Sequence, residues 1–133
     1  MANTTFSGPV RSENGFEQVS KNATTGVFTT SATYNATITG GVQSLSGAGA
    51  VDIVNLVTEV TTTGADALTL ADGTVGQLKI ITMIVDGGNG TLTPTTFANG
   101  TNITFDAVNE TVCLLFANTI GWVVVSNSGA TVA

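Results

Sequence analysis

Residues 111–126 read TVCLLFANTIGWVVVS and contain two candidate strands, Thr111–Ala117 and Gly121–Ser126. A strand with one face in water alternates apolar and polar residues. In the first of these strands the residues at positions 112, 114 and 116 are apolar, and so are Cys113 and Leu115 on the opposite side. Both faces of this strand therefore need cover, which predicts either a second layer or a neighbouring subunit on the outer side.

The second strand breaks the alternation in the same way. Trp122 and Val124 face one side, and two further valines face the other. We expect Trp122 to pack in the core or in an interface, not to form a sugar-stacking platform, because the next three residues are all valines. The pattern predicts an oligomer whose subunit interface contains Cys113, Leu115, Val123 and Val125.

The whole chain has the composition of an all-β protein. Threonine, valine and glycine are abundant, whereas the helix formers lysine, glutamate, glutamine and arginine are scarce. Short apolar or alternating runs recur between turn sequences such as Asp72-Gly73 and Asn99-Gly100. The length of 133 residues suits one domain. The pattern predicts an antiparallel β-sandwich or barrel of short strands.

The first 26 residues form a separate region with little core of their own. Their apolar residues are isolated between polar ones, so we expect residues 1–26 to form an extended N-terminal arm and residues 27–133 to form the β domain. A frayed terminus is the alternative for the arm. The Ser/Gly/Ala-rich stretch within residues 40–50 predicts a loop or hinge.

The arm carries a small set of residues suited to anchoring the protein on a partner. A large apolar side chain contributes about 1.5–3 kcal/mol when it is fully buried, so a few of them can order a short segment. An arginine adds a charge that can pair with an acidic group. The candidate contact residues of the arm are Phe6, Val10, Arg11 and Phe16.

The charge of the chain excludes two classes of partner. The formal net charge is −6, and the only cations are Arg11, Lys21 and Lys79. Binding to nucleic acid or to an anionic membrane surface depends on a basic patch, so we expect neither partner. The apolar runs also fall well short of the roughly 18 residues of a membrane-spanning helix.

The sequence also lacks the residues of common catalytic and metal sites. It contains no histidine, and Cys113 is its single cysteine, which excludes Ser-His, Cys-His and CxxC arrangements. Cys113 lies in an apolar run and is expected to be a buried, inert thiol. The nine carboxylates fall mostly in turns or on polar faces. We therefore predict no enzyme activity, no cofactor and no metal.

Two regions have a recognisable type of sequence. They are the opening, MANTTFSGPVRSENGF, and residues 68–133. The second region includes LTLADGTVGQLK at 68–79, Leu92-Thr-Pro94, Ile103-Thr-Phe105 and the stretch from Gly121 to Ala133. Together these regions cover about two-thirds of the chain. They resemble small virion structural proteins of tailed bacteriophages, particularly those of marine and cyanobacterial hosts.

The resemblance implies a capsid decoration (cement) protein that binds the major capsid protein on the outer surface of a phage head. A homotrimer is the first choice, because viral β-proteins of this kind often pack around a threefold axis. A tail-fibre or head-fibre tip that binds a host receptor or glycan is the alternative, and the lack of heptads and strict repeats argues against it. An adhesin or lectin-like module is a third alternative. The first residues lack a signal peptide, so we expect a chain made in the host cytoplasm and incorporated into the virion.

Overall fold

A computed structural model describes residues 16–21, 24–34 and 41–133 of the chain. Contacts within the chain divide it into two compact units, Met1–Ile38 and Thr39–Ala133. The two units are described separately below.

The described part of the first unit is an antiparallel β-hairpin. Strand β1 (Phe16–Lys21) pairs with β2 (Phe28–Tyr34), with a bulge between Gln18 and Val19. Gly26 lies in the connection with a φ of 72°, a left-handed conformation that glycine adopts without steric cost.

The predicted arm falls partly on this hairpin. Phe6, Val10 and Arg11 lie outside the described residues, and Phe16 is the first residue of β1, where it pairs with Tyr34. The predicted boundary between residues 26 and 27 therefore lies inside the hairpin, whereas the contacts divide the chain after Ile38.

Residues 41–133 form two sheets of five strands each. Sheet I has the strand order β11-β10-β7-β5-β3, and sheet II has the order β12-β9-β8-β6-β4. Within this region the structure contains no helix. The strands are β3 (Val42–Ser46), β4 (Gly49–Val51), β5 (Val57–Thr61), β6 (Asp66–Leu70), β7 (Leu78–Val85), β8 (Gly90–Pro94), β9 (Ile103–Phe105), β10 (Thr111–Ala117), β11 (Gly121–Ser128) and β12 (Thr131–Val132).

The first six of these strands wind as three stacked rungs. Each rung contributes one strand to sheet I and the next to sheet II, and successive rungs pair in parallel in both sheets. Val42 aligns with Val57, which in turn aligns with Ile80, so the rungs differ in length. This inequality explains why the sequence shows no strict repeat. The remaining strands, β9 to β12, reverse direction and pair antiparallel.

The prediction of an all-β sandwich is confirmed, and the two sheets do not close into a barrel within residues 41–133. The pairing is mixed rather than purely antiparallel, because the three rungs run in parallel. Short strand length and turn composition indicate strands without fixing the direction in which they pair. Parallel pairing depends on the crossover through the other sheet, which no local pattern reveals.

The predicted loop or hinge at residues 40–50 is replaced by two strands, β3 and β4. The serines at positions 44 and 46 face outward on the edge strand β3, where small polar residues are tolerated. Only Gly47 and Ala48 separate the two strands, and Gly47 has a φ of 72°. The glycine therefore marks a tight turn between strands and not a longer break.

The core lies between the two sheets and is formed by inward-facing residues of both. Trp122 is fully buried, and its Nε1 donates a hydrogen bond to the Ala71 carbonyl at 2.9 Å. The Phe116 ring packs edge-on against it, with 5.2 Å between ring centroids. This places Trp122 in the core, where its single donor is satisfied. The fully buried apolar residues also include Val60, Leu68, Leu70, Ile81, Met83, Leu92, Ile103, Phe105, Val112 and Leu114.

Candidate functional site: the outer face of sheet I

The two faces of sheet I differ in what covers them. Residues at alternate positions point into the sandwich, as Ile81 and Leu114 do with no exposed surface. Their neighbours Ile80 and Leu115 point outward and remain partly exposed. The outer face is therefore accessible from solvent in the described part of the chain.

Apolar residues align in two rows across this outer face. Strand register places Val42 beside Val57, Val57 beside Ile80, and Ile80 beside Cys113. A second row places Leu78 beside Leu115 and Leu115 beside Val123. Neighbouring strands lie about 4.8 Å apart, so side chains within a row are in contact range. We call this set, with Val125, the apolar outer face: Val42, Val57, Leu78, Ile80, Cys113, Leu115, Val123 and Val125.

Several of these side chains are strongly exposed. Val42 is 52% exposed, Leu78 is 47% exposed and Val125 is 58% exposed. Single exposed apolar residues are ordinary on protein surfaces, so the notable feature here is that these residues lie side by side.

The structure brings the predicted interface residues together with one change. Cys113, Leu115 and Val123 occupy outward positions on β10 and β11. A bulge displaces Val125, so that Ser126 pairs with Cys113 and Val125 lies beside that pair. Strict alternation placed Val125 on the same face as Val123, and a bulge is invisible to a periodicity of two. The role of these four residues in an interface stays a prediction.

Cys113 differs from the expectation of a buried thiol. It is a free cysteine of intermediate exposure, because it points away from the core. The apolar run around it covers both faces of β10, and only the face of Val112 and Leu114 is buried.

Sequence reasoning missed half of the apolar outer face. The adjacent pair Ile80-Ile81 signalled that β7 is apolar on both sides, but nothing linked it to Cys113. Val42 and Val57 were missed because their strands reach Ile80 only through parallel pairing.

The other half of the outer face is mainly hydroxylated, apart from Glu59 and the 42% exposed Ile84. Register aligns Ser44 with Glu59, Glu59 with Thr82, and Thr82 with Thr111. Thr111 Oγ1 donates to Thr82 Oγ1 at 2.8 Å. Glu59 is the sole charged residue at the outward strand positions of sheet I. The outer face thus combines an apolar area with a polar margin that carries a single charge at the strand positions, that of Glu59.

The described residues hold no cluster of three or more histidine, cysteine, aspartate or glutamate side chains that could bind a metal ion. In the same part of the chain, no helix has the length and apolar character needed to cross a membrane.

No protein-family model matches the sequence, and a search of curated proteins finds no significant similarity.

Proposed function

We propose that the protein is a non-enzymatic structural subunit of a virus particle, a decoration protein that binds the outer surface of a phage head and stabilises the shell. The observation that carries this proposal is the apolar outer face of sheet I. The bacteriophage-like sequence style at both ends of the chain supports the same assignment.

The apolar outer face has the composition of an interface core. Interface cores are apolar and poor in charge, and they are surrounded by a polar rim. Here Leu78, Leu115 and Val123 lie in the apolar area, while the hydroxylated row at Thr82 and Thr111 supplies a rim. A subunit of an assembly would bury such a surface against its neighbour.

The apolar outer face is large enough to form the core of an interface but too small to form a whole one. The two rows together reach across five strands, which at about 4.8 Å span about 19 Å, and they extend about 10 Å along the strands. Because neither row crosses all five strands, the apolar area is at most about 200 Å². A stable interface buries about 800 Å² on each partner. The polar margin and adjoining loops would therefore contribute most of the buried area.

The first partner in this proposal is a second and third copy of the chain. The carboxylate of Glu59 is the only charge at the outward strand positions, so identical copies can meet there with little repulsion despite a net charge of −6. In this proposal the N-terminal residues bind the major capsid protein. Neither nucleic acid nor a membrane is a partner in this proposal.

Sedimentation of the protein with separated virion parts tests the assignment. We expect it to co-sediment with filled heads and to be absent from detached tails. Recovery with tails would overturn the decoration role in favour of the fibre-tip alternative.

Deletion of residues 2–20 tests the arm separately. If the arm anchors the protein through Phe6, Val10, Arg11 and Phe16, the shortened chain should form the same oligomer but no longer bind empty heads. Head binding as tight as that of the full chain would place the capsid contact on the predicted β domain, residues 27–133, instead.

A further inference from the structure

A buried amine lies inside the sandwich at Lys79. This residue points inward from β7, and its side chain has no exposed surface. Its Nζ donates to the backbone carbonyl oxygen of Asn55 at 2.7 Å and lies 3.7 Å from Asp52 Oδ1. A fully buried lysine is rare in proteins, and the proposed structural role makes no use of one.

Asp52 lies between this amine and the side-chain amide of Asn55. The Asn55 Nδ2 donates to Asp52 Oδ2 at 2.8 Å, and the Asn55 backbone N–H donates to Asp52 Oδ1 at 2.8 Å. One carboxylate oxygen therefore faces the amine and the other faces the amide nitrogen. Gly41 leaves room for this amide, since a Cβ at that position would collide with Asn55 Oδ1.

We propose that Lys79 and Asn55 form an intramolecular isopeptide bond between Lys79 Nζ and Asn55 Cγ, with Asp52 carrying the protons. An amine, a carboxamide and a carboxylate that contacts both are the three groups that this reaction requires. The inference does not rest on the proposed function. It is compatible with a non-enzymatic protein, because a single intramolecular reaction is not enzymatic turnover.

The reaction balances with the groups present. Asp52 accepts a proton from the Lys79 ammonium, which frees the electron pair on Nζ. In the structure the amine donates to the Asn55 backbone oxygen, so the Asn55 side chain must rotate for its Cγ to reach Nζ. The Nζ–Cγ bond then forms, and the Cγ–Nδ2 bond breaks. Asp52 passes protons from Nζ to Nδ2, which leaves as ammonium, and Asp52 returns to the carboxylate. No oxidant, reductant or further reactant is needed.

Burial of the amine favours release of a proton from Lys79. Burial lowers the pKa of Lys79, and the negative charge of Asp52 offsets this only in part. Burial by itself would raise the pKa of Asp52, but hydrogen bonds from Asn55 and Val54 and the charge of Lys79 lower it overall. The amine is therefore easier to deprotonate than an exposed lysine. The lowered pKa makes Asp52 a weaker base, so its part as proton carrier rests on its position 3.7 Å from Nζ.

The bond would tie two rungs of the sandwich together. Asn55 lies just before β5 in the second rung and Lys79 lies in β7 of the third, 24 residues apart in the chain. A covalent cross-link of this kind restricts the unfolded chain, as a disulfide does, and it persists under reducing conditions.

Tryptic digestion of the denatured full-length protein tests the proposal, because the chain has only three sites, at Arg11, Lys21 and Lys79. Trypsin does not cleave after an acylated lysine. We expect folded protein, incubated and then denatured, to give residues 22–133 as one fragment with a mass reduced by one ammonia molecule. Tandem mass spectrometry should place the link between Asn55 and Lys79.

Two variants complete the test. Lys79→Arg keeps the positive charge and the cleavage site but has no amine that can react, so cleavage should occur and the mass should be unreduced. Asp52→Asn keeps both joined residues, and we expect the linked fraction to fall at least tenfold at a fixed incubation time.

Cleavage of the folded-then-denatured wild-type chain into residues 22–79 and 80–133 would overturn the proposal. Ammonia loss with Lys79 still cleaved would also count against it, because that result indicates a cyclic imide at an Asn-Gly pair such as Asn89-Gly90. Both outcomes are decided on the wild-type protein and do not depend on whether a variant folds.

Discussion

The two sheets of the second unit share one core but differ on their outer faces. Sheet I exposes valine, leucine, isoleucine and cysteine over half of its outer face. At the corresponding positions sheet II carries only small or hydroxylated residues, which are Ala50, Ala67, Thr69, Thr91, Thr93, Thr104 and Thr131.

This difference between the two outer faces is not explained by strand propensity alone. Valine and threonine have the same branched shape, and both favour strands. Three threonines align across three strands of sheet II, namely Thr91, Thr104 and Thr131. Their hydroxyl groups can form hydrogen bonds with water. Strand propensity therefore explains the branched residues of both sheets, but it does not explain the apolar choice on sheet I. The covering partner proposed above would explain it.

The largest effect is expected from a charge on the apolar outer face. Leu115→Asp would place an unpaired carboxylate in the proposed subunit contact, which costs several kcal/mol when buried. We expect the oligomer to dissociate, as measured by multi-angle light scattering at micromolar concentration. The matched control is Thr91→Asp, at a half-buried outward position of sheet II, which should leave the mass unchanged. A wild-type protein that is monomeric at this concentration would contradict the proposed trimer.

Adjacent residues of β10 allow the same comparison without a charge. Leu114→Ala truncates a fully buried side chain and should lower the free energy of unfolding by about 2–5 kcal/mol at any protein concentration. Leu115→Ala should cost less in the monomer, and its cost should grow with protein concentration, because oligomer stability depends on mass action. Urea unfolding at two protein concentrations measures both. An identical Leu115→Ala effect at the two concentrations would argue against a subunit contact.

The sequence carried more information about the outward residues of β10 and β11 than about those of the neighbouring strands β3, β5 and β7. Cys113, Leu115 and Val123 were identified because they interrupt a local alternation within single strands. Val42 and Val57 were not, since their place beside Ile80 depends on parallel pairing through the other sheet. Local periodicity reports which face a residue occupies, and it does not report which strand lies next to it.

Lys79 illustrates a second limit of sequence reasoning. A lone cation in a strand is ordinarily a solvated surface residue, and its neighbours Leu78 and Ile80 gave no contrary sign. Its burial is made possible by Asp52 and the Asn55 carbonyl, which approach from the loop between β4 and β5. Because the groups that pair with the buried charge lie far from Lys79 in the sequence, no pattern near Lys79 indicates its burial.

A smaller effect is expected at the polar margin of sheet I. Thr82→Val removes the acceptor of the 2.8 Å hydrogen bond from Thr111 while keeping the branched shape. Thr111 Oγ1 also contacts the Asn109 carbonyl at 3.1 Å, so it keeps an acceptor. We expect a loss of about 0.5–1.5 kcal/mol in thermal or urea unfolding. A larger loss would mean that this row is buried against a partner and is not a rim.

The smallest effect on stability is expected when an outward threonine of sheet II is replaced by valine, the kind of residue that sheet I exposes. Thr104→Val keeps the shape at an outward position aligned with Thr91 and Thr131, so the free energy of unfolding should change by less than about 0.5 kcal/mol. A single new methyl group leaves the surrounding threonines hydrated, so the mass by light scattering should match that of the wild type. If this one substitution produced a new, larger assembly, sheet II would already be close to self-association. The contrast between the two outer faces would then not identify which of them meets a partner.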